Sequence, residues 1–113
     1  MDHRHIQADL KGLAAELRGE IPEVIAAHAS LHHAAMGNGD LDVKTKELIA
    51  LAIAVTKECD GCIAAHARGA VRRGATRSEV AEMIGVAILM NGGPGTVWGP
   101  RALEAFDQFS ESA

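Results

Sequence analysis

The chain has 113 residues, of which 48% are hydrophobic, 23% charged and only 3% aromatic, with no Tyr and a formal net charge of −4. That length suits one domain over residues 1–113, not two. The acidic balance, without a dense basic run, argues against nucleic acid and anionic membrane as partners. A core short of aromatics must be packed from Ala, Leu, Ile, Val and Met, which favours an all-α fold of five or six closely packed helices.

The N-terminus, MDHRHIQADLKG, has no apolar core of the signal-peptide kind. The longest strongly apolar run, Leu48 to Val55, is far too short to span a bilayer. The expected compartment is therefore the cytosol. The first helix is expected from about His5 to Leu17, with Ile6, Leu10, Leu13 and Leu17 at helical spacing and Gly19 as its stop. The second starts near Pro22, a favourable first-turn residue, and carries Val24, Ile25, His28, Leu31 and His32. Gly37-Asn38-Gly39-Asp40 signals a turn. Asp42 caps a third helix running to about Lys57. A fourth begins around Asp60 and stops at Gly74. Thr76 and Glu79 form a capping box for a fifth, which ends at Asn91-Gly92-Gly93. The glycine-rich stretch Pro94 to Pro100 has no assigned structure, and a last helix covers about Arg101 to Phe109.

Two of these helices lack a polar face. Leu48 to Val55 reads LIALAIAV, and Val80 to Met90 reads VAEMIGVAILM. A surface helix of a small monomer shows one polar side, and a domain of this size hides two all-apolar helices with difficulty. The expectation is a homo-oligomer whose subunits cover these faces.

The chemistry concentrates in Cys59-Asp60-Gly61-Cys62-Ile63-Ala64-Ala65-His66. If Cys59 opens the fourth helix, Cys62 and His66 follow at one-turn intervals, and all three project within about 60° of one another. The thiolate is the reactive form of cysteine, and only about 3% of a free thiol is ionised at pH 7. A helix N-terminus, a neighbouring thiol and an imidazole each favour the thiolate. A second cysteine at this spacing can then close a disulfide. A loop this short restrains the unfolded chain little, so a purely structural disulfide is a weak explanation.

Other readings of the same residues stay open. Zinc would take Cys59, Cys62 and His66 plus a fourth ligand, Glu47 or a histidine of the second helix. Buried inert thiols beside a satisfied core histidine are a further alternative. Covalent haem attachment fails because Ile63 stands where histidine is needed. Glu47 lies at the polar edge of the apolar run. It is either a surface carboxylate paired with Lys44 or Lys46, or a partly buried proton carrier. Twelve residues of straight helix would hold it about 18 Å from Cys59, so the two can approach only if the chain folds back near Glu58. In that arrangement His66 is its natural neighbour, with Glu47 orienting His66 and His66 serving Cys62. His28 and His32, spaced i, i+4, read as a helix face or interface. His3 and His5 fall on an end expected to fray, and Trp98 reads as packing.

The stretch Lys44 to Gly74, KTKELIALAIAVTKECDGCIAAHARGAVRRG, resembles the AhpD-like alkylhydroperoxidase core, also called the carboxymuconolactone decarboxylase-like family. Glu47, Cys59, Cys62 and His66 match its redox signature in spacing, and the likeness continues to Gly95, a motif region of 43–95. The resemblance implies an all-α fold commonly assembled as trimers or hexamers. It also implies peroxidase or disulfide-reductase chemistry without haem, flavin or metal. By that resemblance Cys62 attacks a hydroperoxide, Cys59 resolves the sulfenic acid as a disulfide, and Glu47 and His66 relay protons. A dithiol or lipoyl-bearing donor returns the electrons. The best-known peroxidase members carry a further histidine between the cysteines, where this chain has Gly61. True lactone decarboxylases generally lack the dithiol, so that reaction is not expected.

Overall fold

A computed structural model describes all residues, 1–113. The chain forms six helices and no strand: α1 (His3–Glu20), α2 (Pro22–Met36), α3 (Val43–Thr56), α4 (Asp60–Arg72), α5 (Arg77–Asn91) and α6 (Gly93–Glu111). No helix is long and apolar enough to cross a membrane.

Helix α4 lies at the centre. Its Ile63, Ala64, Ala67 and Ala70 are fully buried, facing Leu51 and Val55 of α3, Val80 of α5 and Ala102, Ala105 and Phe106 of α6 in one core. Three alanines on one helix keep side chains short where neighbouring helices close in, and the volume is filled by Leu51, Ile63 and Phe106. Burying an aliphatic side chain of this size contributes about 1.5–3 kcal/mol. Helix starts follow the sequence closely. Asp42 accepts from the Thr45 N–H at 2.8 Å. Thr76 and Glu79 exchange both bonds of the capping box. Pro22 opens α2, where a missing N–H costs nothing.

Three expectations need correction. Helix α1 starts at His3 and runs through Gly19 to Glu20, because a glycine weakens a helix but stops it only when the next turn has something better to bond to. His3 is not frayed. It is fully buried, its N–H donates to Gln108 Oε1 at 2.8 Å and its Nε2 lies 2.9 Å from Glu104 Oε1, which ties the N-terminus to α6. The glycine-rich stretch 94–100 is helical, inside α6. Gly95 and Gly99 sit one turn apart on the face against α5. A Cβ at Gly95 would come within 2.9 Å of Ile88 Cα, and one at Gly99 within 2.6 Å of Ile84 Cγ2. Gly95 lets α6 approach the backbone of α5, and Gly99 makes room for the Ile84 side chain. Trp98 packs at the edge of the core, with the Arg101 guanidinium 4.3 Å over its ring.

The outer faces of α3 and α5 are bare. Ile49, Ile53, Val86, Leu89 and Met90 are between 45% and 80% exposed. Helix α2 buries no residue at all.

Candidate functional site

The α3–α4 corner is where the chain folds back. At the end of α3 the Cys59 N–H donates to Ala54 O at 3.1 Å and the Glu58 N–H to Val55 O at 3.1 Å. This is the Schellman pattern, which needs a left-handed residue between helix and exit. Glu58 takes that conformation with φ 53°. The same pattern ends α4, and there Gly74 fills the left-handed position with φ 81°. A side chain in this conformation costs about 1 kcal/mol or more. Glu58→Gly is therefore expected to stabilise the reduced protein by about 0.5–1 kcal/mol, less the extra freedom glycine gives the unfolded chain. Urea unfolding of both proteins in the presence of a reductant checks it.

Cys59 belongs to both helices. Its N–H closes α3, and its Sγ accepts the Cys62 N–H at 3.3 Å as the N-cap of α4. Cys59 and Cys62 are joined in a disulfide, with their Cα atoms 5.3 Å apart. Cys62 is exposed and Cys59 half-buried. The sulfurs are thus at the surface and adjacent, not sealed in hydrocarbon.

The fold-back brings Glu47 to His66. Glu47 is buried, 8% exposed, and its Oε2 lies 2.9 Å from His66 Nδ1. Neither lysine beside Glu47 in sequence takes it. Lys44 Nζ pairs with Glu79 Oε2 at 2.8 Å, and Lys46 Nζ donates to the carbonyls of Ala35 and Gly37. The Lys44 ammonium is the first cause holding the Glu79 carboxyl below its ordinary range. The carboxylate of Glu47 can only accept, so His66 Nδ1 carries the proton and Nε2 keeps the lone pair in the neutral ring. None of the hydrogen bonds of His66 goes to a sulfur of the oxidised pair.

The fold adds one residue that the sequence does not single out and gives another a specific neighbour. Gly69, one turn below His66, faces Glu47 directly: a Cβ there would fall 2.6 Å from Oε1 and closer still to Oε2. The room for the carboxylate is the absence of that carbon. The available signal was a glycine inside a helix, where it costs about 1 kcal/mol relative to Ala. The second is His32 of α2, whose ring stacks on His66 with centroids 6.2 Å apart and planes 20° from parallel. His28 does not share the stack. A cavity of about 280 Å³ opens beside the pair and is lined by His32, His33, Asn38, Glu47 and Arg73 among others. No three or more His, Cys, Asp or Glu side chains converge as metal donors.

The molecule is thus a six-helix protein with a cysteine pair at a helix start and, beside it, a buried glutamate bonded to a half-buried histidine. A sequence model of the carboxymuconolactone decarboxylase family matches residues 22–108, and the chain belongs to that family. A solved carboxymuconolactone decarboxylase family protein from Legionella pneumophila is 46% identical, with TM-score 0.93 over 96% of both chains. An uncharacterized protein of Haemophilus influenzae is 42% identical over 93% of each chain. A protein of the cox locus of Paracoccus denitrificans is 38% identical over 73% of this chain and 74% of its own length.

Proposed function

We propose that this chain is a cytosolic dithiol hydroperoxide reductase. The observation that carries the proposal is the exposed Cys62, bonded to Cys59 and one turn from an imidazole that a buried carboxylate orients. The Cys62 thiolate attacks the terminal peroxide oxygen. An S–O bond forms, the O–O bond breaks, and the alcohol leaves with a proton delivered through His66. The Cys59 thiol then displaces hydroxide from the Cys62 sulfenic acid, which departs as water, and the disulfide closes. An external dithiol, such as a lipoyl group, attacks that disulfide and restores both thiols while becoming oxidised itself. Glu47 keeps His66 in the tautomer whose Nε2 can take the thiol proton.

Gly61 stands where the best-known peroxidases carry a histidine, and His32 brings a second imidazole from another helix. His32 is exposed, so it can pass the proton of His66 to water. His32→Phe retains a flat ring over His66 but no exchangeable proton. Peroxide turnover is expected to fall roughly tenfold and to recover in imidazole buffer, whereas a loss that imidazole leaves untouched assigns His32 to packing alone.

The bare faces of α3 and α5 support assembly as a homo-oligomer, a trimer or hexamer, with copies of the chain covering Ile53, Leu89 and their neighbours. The proposal is tested by following hydroperoxide consumption with dithiothreitol and with dihydrolipoamide as donors. Catalytic turnover with either supports it. No turnover from protein whose disulfide is fully reduced by the same donors rejects it. Stoichiometric zinc in protein purified without chelator would favour the non-enzymatic metal-binding or redox-sensing reading of the same residues.

A further inference from the structure

The groove between α1, α4 and α6 is lined by Arg4, Lys11, Arg68 and Arg72 and encloses about 440 Å³. These are four of the eleven Lys and Arg residues of a chain whose net charge is −4. No acidic side chain lines the groove.

Three of the four cations in it lack a carboxylate partner, as do Arg18, Lys46, Lys57, Arg73 and Arg101 elsewhere. Lys44 is matched by Glu79 and Arg77 by Asp107, each pair within 2.9 Å. In the groove only Arg4 has a carboxylate, Asp2 at 3.2 Å, and it also donates to Ser112 Oγ at 3.2 Å. Arg68 donates to the neutral Gln7 Oε1 at 3.4 Å. Lys11 and Arg72 take part in no ion pair. Arg68 and Arg72 are spaced i, i+4 on α4, so their like charges face each other one turn apart, an arrangement that destabilises a helix. Val71 and Phe109 give the groove an apolar part, and its volume lies in the range of small-molecule sites.

We propose that this groove binds a compact, multiply charged anion bearing carboxylate or phosphate groups. Two guanidinium forks from one helix face and an ammonium from the facing helix suit planar or tetrahedral oxyanions. The bound anion supplies counter-charge to Lys11, Arg68 and Arg72, which have no ion-pair partner. The site is separate from the cysteine pair. Arg68 and Arg72 lie on the flank of α4 that also holds Gly61, which meets Leu10 of α1, whereas Cys62 and His66 project about 80° or more away around the helix. The proposal therefore stands or falls independently of the peroxidase reading.

The test is calorimetric titration of the full-length protein with citrate, pyrophosphate and inorganic phosphate, at ionic strength matched with potassium chloride, alongside thermal unfolding. Saturable binding of citrate or pyrophosphate is expected, weakened at least tenfold in R68Q/R72Q and unchanged in R18Q. Without anion R68Q/R72Q should melt no lower than the wild type, because a repulsion has been removed, and it should lose the anion-dependent rise in Tm. Binding of citrate alone assigns a carboxylate ligand, and of pyrophosphate alone a phosphate ligand. No saturable binding of any of the three up to about 10 mM, or equal binding by R68Q/R72Q, overturns the proposal.

Discussion

Cys62→Ser is expected to abolish hydroperoxide consumption, with a loss of at least about 10³-fold, because removing a nucleophile removes the covalent step and not one contribution to it. Cys59→Ser is expected to behave differently. The two sulfurs are inequivalent in the fold: Cys62 is exposed, while Cys59 is half-buried with its N–H and Sγ both engaged at the α3–α4 corner. On the proposed mechanism an incoming peroxide meets Cys62 first. Without Cys59 the first oxidation still occurs but no internal disulfide follows, so a sulfenic acid accumulates on Cys62 and is trapped by a 1,3-diketone reagent. Mass spectrometry of peroxide-treated Cys59→Ser should find one adduct per chain, on Cys62. An adduct on Cys59 in Cys62→Ser, with turnover retained, would reverse the assignment.

Gly69→Ala is expected to reduce turnover about as strongly as Glu47→Gln, by about 10²-fold or more, without unfolding the protein. The added methyl group occupies the place of the Glu47 carboxyl, so the carboxylate must swing away from His66 Nδ1. The backbone gains, since Ala is the better helix former by about 1 kcal/mol. That gain offsets part of the cost of moving a buried carboxylate. Glu47→Gln keeps the shape but replaces a charged acceptor by an amide, and on the proposed mechanism the imidazolium of His66 then loses its counter-charge. The prediction is checked by measuring turnover and urea midpoint together. A Gly69→Ala protein with wild-type turnover would mean that the Glu47–His66 bond has no part in the chemistry.

Much of this was legible in the chain itself, and the parts that were not have physical reasons. Helix starts were read well because Asp42, Pro22 and the Thr76–Glu79 box are local chemistry, decided within one turn. The meeting of Glu47 and His66 followed from a single inference, that the chain turns back near Glu58. What the sequence does not indicate is the left-handed conformation of Glu58, because glutamate is a poor choice for that position. The helix over Pro94–Pro100 was missed for the opposite reason. Gly95 and Gly99 read as breakers in isolation, whereas their use is tertiary, Gly95 meeting the backbone of α5 and Gly99 its Ile84 side chain. His3 was misjudged because one buried imidazole near a terminus leaves no periodic trace. The place of Gly69, and the stacking of His32, which sequence puts only on a helix face or interface or among candidate zinc ligands, are not legible locally because each acts through a neighbour 20 or more positions away, at Glu47 and His66.

Helix α2 carries the ring that covers His66 yet buries none of its own residues. Little apolar contact holds it, so in the single chain its amides should exchange with deuterium sooner than those of α4, whose alanines are sealed. Lifting α2 would bare the imidazole without loosening the core. The ring stacked on His66 thus rides on the helix with the least buried attachment, and His66, already partly exposed, opens further to solvent whenever α2 moves.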